Sequence, residues 1–105
     1  MIEEKIKQRV HEIFEEVDVK VDRLILFGSR ARGDYKTGSD WDLLIVVNKE
    51  LTREEKMEYS HLIRRALAEE FIPCDVLIRS TKEVEERKRV IGSVIKTALK
   101  EGVVL

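Results

Sequence analysis

The sequence predicts an α/β or α+β domain in which helices pack on a small β-sheet, in the order α-β-β-α-β-α. Three observations predict it. Three short apolar runs bounded by turn residues read as strands. Three longer segments carry apolar residues every three or four positions and read as amphipathic helices. Two of those helices open on a capping-box sequence. Three short strands cannot bury their own faces, so helices must cover at least one face, giving two layers.

The elements follow in order. Residues 2–17 place Ile2, Ile6, Val10, Ile13, Phe14 and Val17 on one helical face, with Glu3 and Lys7 supporting the exposed side. Residues 21–27 (VDRLILF) form a short apolar run closed by Gly28-Ser29 and read as a buried strand. Residues 28–39 are polar and glycine-rich, with a short helical turn expected at the start. Residues 42–47 (DLLIVV) read as a second strand, and their lack of alternation suggests that both faces are covered. Thr52-Arg53-Glu54-Glu55 opens a helix expected to run to Phe71 and to bury Tyr59, Leu62, Ile63, Ala66, Leu67 and Phe71, with Pro73 ending it. Residues 74–78 (CDVLI) give a third strand. Ser80-Thr81-Lys82-Glu83 opens a last helix expected to run unbroken to Lys100, with Ile91, Val94, Ile95, Ala98 and Leu99 on one side. Glu83–Arg87 and Glu85–Arg89 are expected exposed pairs on it, and Gly102 is a stop signal. Val103-Val104-Leu105 is an apolar tail that must pack on something, a partner included.

Composition bounds the function. The chain has 105 residues, 43% of them apolar and 39% charged, enough for one packed interior and too few for a second, so residues 1–105 are expected to form a single domain. Twenty Lys and Arg against 21 Asp and Glu leave a formal charge of -1, which argues against stable capture of a long nucleic acid. No apolar run approaches the roughly 20 residues that span a bilayer, and Met1-Ile2-Glu3-Glu4-Lys5 lacks the apolar stretch of an export signal. The single cysteine, Cys74, allows no internal disulfide or thiolate cluster and reads as a small buried hydrophobe. A reducing cytoplasm is the expected setting. His11 and His61 read as surface or boundary residues of helices, and Tyr35 as a solvated loop residue.

The informative stretch runs from Gly28 to Asp42. Gly28-Ser29 directly after an apolar strand lets the backbone turn sharply and approach a ligand, and Arg30 and Arg32 add fork-shaped donors suited to phosphate oxygens. A solvated β-turn is the alternative. Asp40 and Asp42, two apart at a strand edge, point to one face and repel unless a cation lies between them. A hard divalent ion such as Mg²⁺ answers that need. Simple turn chemistry at Gly38-Ser39-Asp40 is again the alternative. Trp41, between the acids, points to the opposite face, into packing. Asp75 lies in the third apolar run, where an acid is costly unless paired or metal-bound. It either joins the other two acids or makes a salt bridge to an arginine at the sheet edge. Three convergent carboxylates opposite a phosphate-binding turn would suit two-metal phosphoryl or nucleotidyl transfer.

Residues 28–47, GSRARGDYKTGSDWDLLIVV, resemble the DNA polymerase β-like nucleotidyltransferase superfamily, whose signature is Gly-Ser, ten intervening residues, then Asp-x-Asp. The chain's size and the G-S-R-A-R-G form look most like the minimal nucleotidyltransferases, the MNT group. The resemblance implies a palm-like fold, a small mixed β-sheet flanked by helices. It implies that Gly28 and Ser29 hold phosphates, with Arg30 and Arg32 contacting them. It also implies that Asp40, Asp42 and Asp75 hold Mg²⁺, two ions during catalysis, with Asp75 helping to deprotonate the acceptor. MNT proteins pair with all-helical HEPN-domain toxins and can transfer AMP from ATP to a toxin tyrosine. A hetero-oligomer with such a toxin is therefore expected. The short chain leaves no residues for a domain that grips a separate acceptor, which also favours a protein hydroxyl. Neutralisation by occlusion alone, or transfer to a small molecule such as an antibiotic with a helper subunit, are the competing readings.

Overall fold

A computed structural model describes residues 1–105. The element order is α1 (Ile2–Glu16), β1 (Val21–Phe27), α2 (Ser29–Arg32), β2 (Trp41–Val47), α3 (Arg53–Ala68), β3 (Cys74–Ser80), α4 (Thr81–Arg87), α5 (Val94–Glu101) and β4 (Val103–Val104). The sheet is mixed, in the order β3-β2-β1-β4, with β2 parallel to β3 and the other pairs antiparallel.

Helices cover both faces of the sheet, one face more than the minimum the sequence requires. On one side Ile6, Val10 and Phe14 of α1 and Tyr59, Ile63 and Leu67 of α3 pack against Leu43, Ile45 and Val47 of β2. Phe14 and Tyr59 meet edge-on, with ring centroids 5.9 Å apart. On the other side Val84, Ile95 and Ala98 cover Ile25, Leu44 and Val46. From Leu43 to Val47 every residue of β2 is buried, which is why that run shows no alternation. Trp41 is buried on the α1–α3 side, and Asp42, of opposite parity in the strand, belongs to the other face.

The two capping boxes form as their sequences require, with Thr52 and Ser80 each accepting from the amide three residues on. Several expectations fail at helix ends. α3 stops at Ala68: Phe71 takes a left-handed conformation (φ 62), and the Phe71 and Ile72 amides donate back to the Ala68 and Leu67 carbonyls. This C-terminal closure puts Ile72 into the core and turns Phe71 into solvent. Leu62 also lies at the solvent edge rather than in the core. The last helix is broken in two. Gly92 has a positive φ of 79, and Ser93 caps α5 by accepting from the Ile95 and Lys96 amides, so Ile91 is exposed instead of continuing an apolar stripe. Glu83 pairs with Lys56 of α3, and Glu85 with Lys88, in place of the expected partners Arg87 and Arg89. The apolar tail finds this chain's own sheet: Val103 and Val104 pair with Leu26 and Ile25, covering the edge of β1.

Cys74 is half-buried, and burial pushes its thiol up to about 11, so it stays protonated and unreactive at neutral pH. No helix is long and apolar enough to cross a membrane.

Candidate active site

The strand register assembles the site. Phe27, the last residue of β1, pairs with Asp42, and Asp42 pairs with Asp75 across the parallel β2–β3 ladder. One row across three strands therefore carries the start of the Gly28 turn, the second acid of the Asp-x-Asp pair and the third acid. The Trp41 amide donates to the Pro73 carbonyl at 2.9 Å and fixes the start of β2 against the start of β3.

Gly28 adopts φ 73 and ψ -159, a region open essentially only to glycine. An added Cβ would lie 2.1 Å from Asp42 Oδ2. The Asp42 carboxylate is thus pressed against the backbone of the turn, which brings the acid and the Gly-Ser segment into one site. Ser29 opens α2, whose single turn is closed by the Arg32 amide to the Gly28 carbonyl and the Gly33 amide to the Ser29 carbonyl.

The Asp42 carboxyl is raised above the ordinary carboxylate range. Burial is the largest cause, followed by the negative charges of Asp75 and Asp40, with Glu101 adding a little and Arg32 offsetting part. The three acids therefore feel one another across this end of the sheet. They do not converge: no three acidic, histidine or cysteine side chains lie close enough to ligate one ion. Asp40 is exposed in the loop before β2. Asp75 is exposed as well, which removes the expected cost of burying it, and its Oδ1 accepts from Arg64 Nη2 of α3 at 2.6 Å and from the Val76 amide at 3.1 Å. An arginine at the sheet edge thus holds the third acid. As a donor set the acids still suit a hard cation, since all their contacting atoms are carboxylate oxygens. The crowding that raises Asp42 is also what a divalent ion would relieve.

The two arginines occupy different places. Arg30 donates Nε and Nη2 to the Ser39 carbonyl at 3.2 and 3.0 Å, and its guanidinium lies over the rings of Tyr35 (4.2 Å) and Trp41 (4.7 Å). It clamps the loop that delivers Asp40, and Tyr35 becomes part of that clamp. Arg32 lies between two carboxylates, Asp34 at 3.3 Å and Glu101 at 3.1 Å, which push its pKa up, Asp34 most.

Sequence reasoning missed Glu101. Its Oε1 accepts from the Gly28 amide at 3.2 Å as well as from Arg32 Nη1. Nothing in the local pattern marks it, because the contact joins residues 73 positions apart. The arginine pairing of Asp75 is one of the two outcomes the sequence offers, but that Arg64 supplies it, and that Arg30 clamps the loop, depend on tertiary packing. A groove of about 780 Å³ over Leu77, Arg79 and Ile91 lies apart from all of these residues.

Comparison with known proteins adds the following. Residues 3–105 match the model of the nucleotidyltransferase domain family. From Methanocaldococcus jannaschii, the protein named "Putative protein adenylyltransferase MJ0604" is 33% identical over all of this chain and 99% of its own length. From the same organism, "Putative protein adenylyltransferase MJ0141" is 50% identical over 44% of this chain, and that match spans 46% of its length. A chain from the structure of tri-AMPylated Shewanella oneidensis HEPN toxin in complex with MNT antitoxin shares the fold with a TM-score of 0.52. It is 15% identical, and the match covers 94% of this chain and 70% of that one.

Proposed function

The chain belongs to the nucleotidyltransferase domain family, and from that premise we propose that it transfers AMP from ATP to a hydroxyl, a tyrosine by preference, of a partner HEPN-domain protein and so acts as that protein's antitoxin. The observation that carries this reading is the contact between Asp42 and the Gly28 backbone. It puts a carboxylate able to hold a metal within reach of a turn able to hold phosphate. The full-length likeness to a relative named as a protein adenylyltransferase supports a protein as acceptor, and the shared fold with the HEPN–MNT complex supports the partner class.

In this reading Gly28 and Ser29 position the polyphosphate, and Asp40 and Asp42 hold Mg²⁺. Asp75 completes the ligand set once its carboxylate leaves Arg64, and it lies beside Asp42 where an incoming hydroxyl proton could be taken. When bound, the metal supplies positive charge for the polyphosphate and makes the acceptor oxygen easier to deprotonate. Arg30 holds the loop that leads to Asp40 by its bonds to the Ser39 carbonyl, and Arg32 supplies charge beside the turn.

The Arg64–Asp75 pair makes a separate prediction. The pair is exposed on both sides and of small intrinsic strength, yet it competes directly with metal for one carboxylate. Arg64→Gln is expected to bind Mn²⁺ several-fold tighter than wild type in the presence of a non-hydrolysable ATP analogue, at about the factor expected for one exposed ion pair, as read by calorimetry. Unchanged Mn²⁺ affinity would remove Asp75 from the ligand set.

The same ion pair is what favours a second reading, neutralisation by occlusion with the site unused. Incubation of the chain with α-labelled ATP, Mg²⁺ and a HEPN-domain protein that binds it separates the two. Label is expected on the HEPN protein with wild type. Neutralisation of the toxin with no label on it would establish occlusion instead.

A further inference from the structure

Glu101 is a carboxylate at this site that the metal and phosphate roles do not use, and unlike Asp34, which pairs with Arg32 alone, it also accepts from the Gly28 amide. A single oxygen, Oε1, bridges the Gly28 amide and Arg32 Nη1, at 3.2 and 3.1 Å. That is how a phosphate oxygen would be held: one anionic acceptor, one backbone donor and one guanidinium. The group is not a loose surface acid. Its side chain is 25% exposed, and it is tied on both sides. Before it, Ile95 and Ala98 of α5 are buried against the sheet. After it, Gly102 donates to the Ala98 carbonyl at 2.8 Å, and Val103 and Val104 pair with β1. A side chain at position 102 would come within 2.2 Å of the Ala98 carbonyl oxygen, so the chain must pass there as glycine and Glu101 is delivered to one place. Its negative charge also acts weakly on Asp42, a cost that the Gly28 and Arg32 bonds offset.

We propose that Glu101 is a placeholder for a nucleotide phosphate: its carboxylate occupies the Gly28 and Arg32 donors, and a polyphosphate binds by taking its place. This rests on the nucleotidyltransferase reading above and deepens it. The exchange keeps the donors of the Gly28 turn satisfied between turnovers. It also sets nucleotide affinity below what the donors alone would give, and it expels product as the carboxylate returns. Glu101 is accordingly a positioning residue and touches no reacting atom.

The test is calorimetric titration of the full chain with a non-hydrolysable ATP analogue in Mg²⁺, and separately with inorganic tripolyphosphate. The variants are Glu101→Gln, which keeps an acceptor for the Gly28 amide, and Glu101→Ala. Glu4→Gln, on exposed α1, serves as a control for net charge. Both Glu101 variants are expected to bind each ligand about tenfold tighter than wild type, a factor that corresponds to ~1.4 kcal/mol, while Glu4→Gln matches wild type. The Gly28 amide proton resonance is expected to differ between wild type and Glu101→Gln, and in wild type to shift on tripolyphosphate addition. Equal or weaker binding by Glu101→Gln, or an equal gain in Glu4→Gln, would overturn the placeholder and leave nucleotidyl transfer standing. Failure of wild type and all variants to bind either ligand would overturn both.

Discussion

Asp42→Asn is expected to lower AMP transfer by about 10³-fold, the scale of losing one preorganised electrostatic contact to the reacting groups, while raising thermal stability at neutral pH. The two effects have one cause. Burial and the charges of Asp75 and Asp40 raise the Asp42 carboxyl in the folded chain. A carboxyl raised on folding contributes stability that is fully present below its unfolded pKa and is lost as pH rises through the folded value. At pH 7 the wild-type chain therefore carries an ionised, crowded Asp42, and the isosteric amide relieves it. In EDTA the variant should melt above wild type at pH 7, and the difference should vanish below about pH 3, where the carboxyl is protonated in both states. Mg²⁺ should then raise the melting temperature of wild type more than that of the variant. A variant that transfers AMP at the wild-type rate, or that melts lower at pH 7, would show that Asp42 is neither ligand nor crowded charge.

Gly28→Ala is the second large effect, and it should exceed any other glycine substitution in the loop. The backbone at Gly28 lies where an L side chain costs roughly 1–3 kcal/mol, and the new methyl would overlap Asp42 Oδ2. The chain must either change the turn or expel Asp42, and both dismantle the site. Gly33 also has a positive φ, of 88, but nothing lies within 4 Å of its Cβ position. Gly33→Ala should then cost only the roughly 1 kcal/mol of a left-handed residue. Chemical denaturation and nucleotide titration of both variants check this. Gly28→Ala should lose nucleotide binding outright, and Gly33→Ala should keep it. Equal losses in the two would mean that backbone conformation alone matters and that the Gly28–Asp42 contact does not.

The sequence made the site legible where its chemistry is local. Gly28-Ser29 and Asp40-x-Asp42 could be paired because strand β1, a turn and strand β2 are consecutive and their pairing follows from the antiparallel connection. Asp75 could be placed on a strand but not in a row. Its pairing with Asp42 depends on a parallel crossover through α3, and its bond to Arg64 depends on how α3 lies on the sheet. Glu101 was further out of reach, since its position depends on Gly102 and on a two-residue strand too short to read as one. Helix ends failed for a different reason. The apolar spacing through Ile91, Val94 and Ile95 continues across a break that only the Gly92-Ser93 pair announces, and Phe71 satisfies helical periodicity while the left-handed closure that seats Ile72 turns it outward.

The central claim is that the carboxylates beside the Gly-Ser turn hold the metal of a bound nucleotide. Electron paramagnetic resonance of Mn²⁺ titrated into the chain with a non-hydrolysable ATP analogue tests it most directly. The account predicts that wild type depletes the free Mn²⁺ signal only when the analogue is present, and that Asp40→Asn and Asp42→Asn each weaken this at least tenfold. Mn²⁺ uptake by Asp40→Asn and Asp42→Asn identical to that of wild type would contradict it.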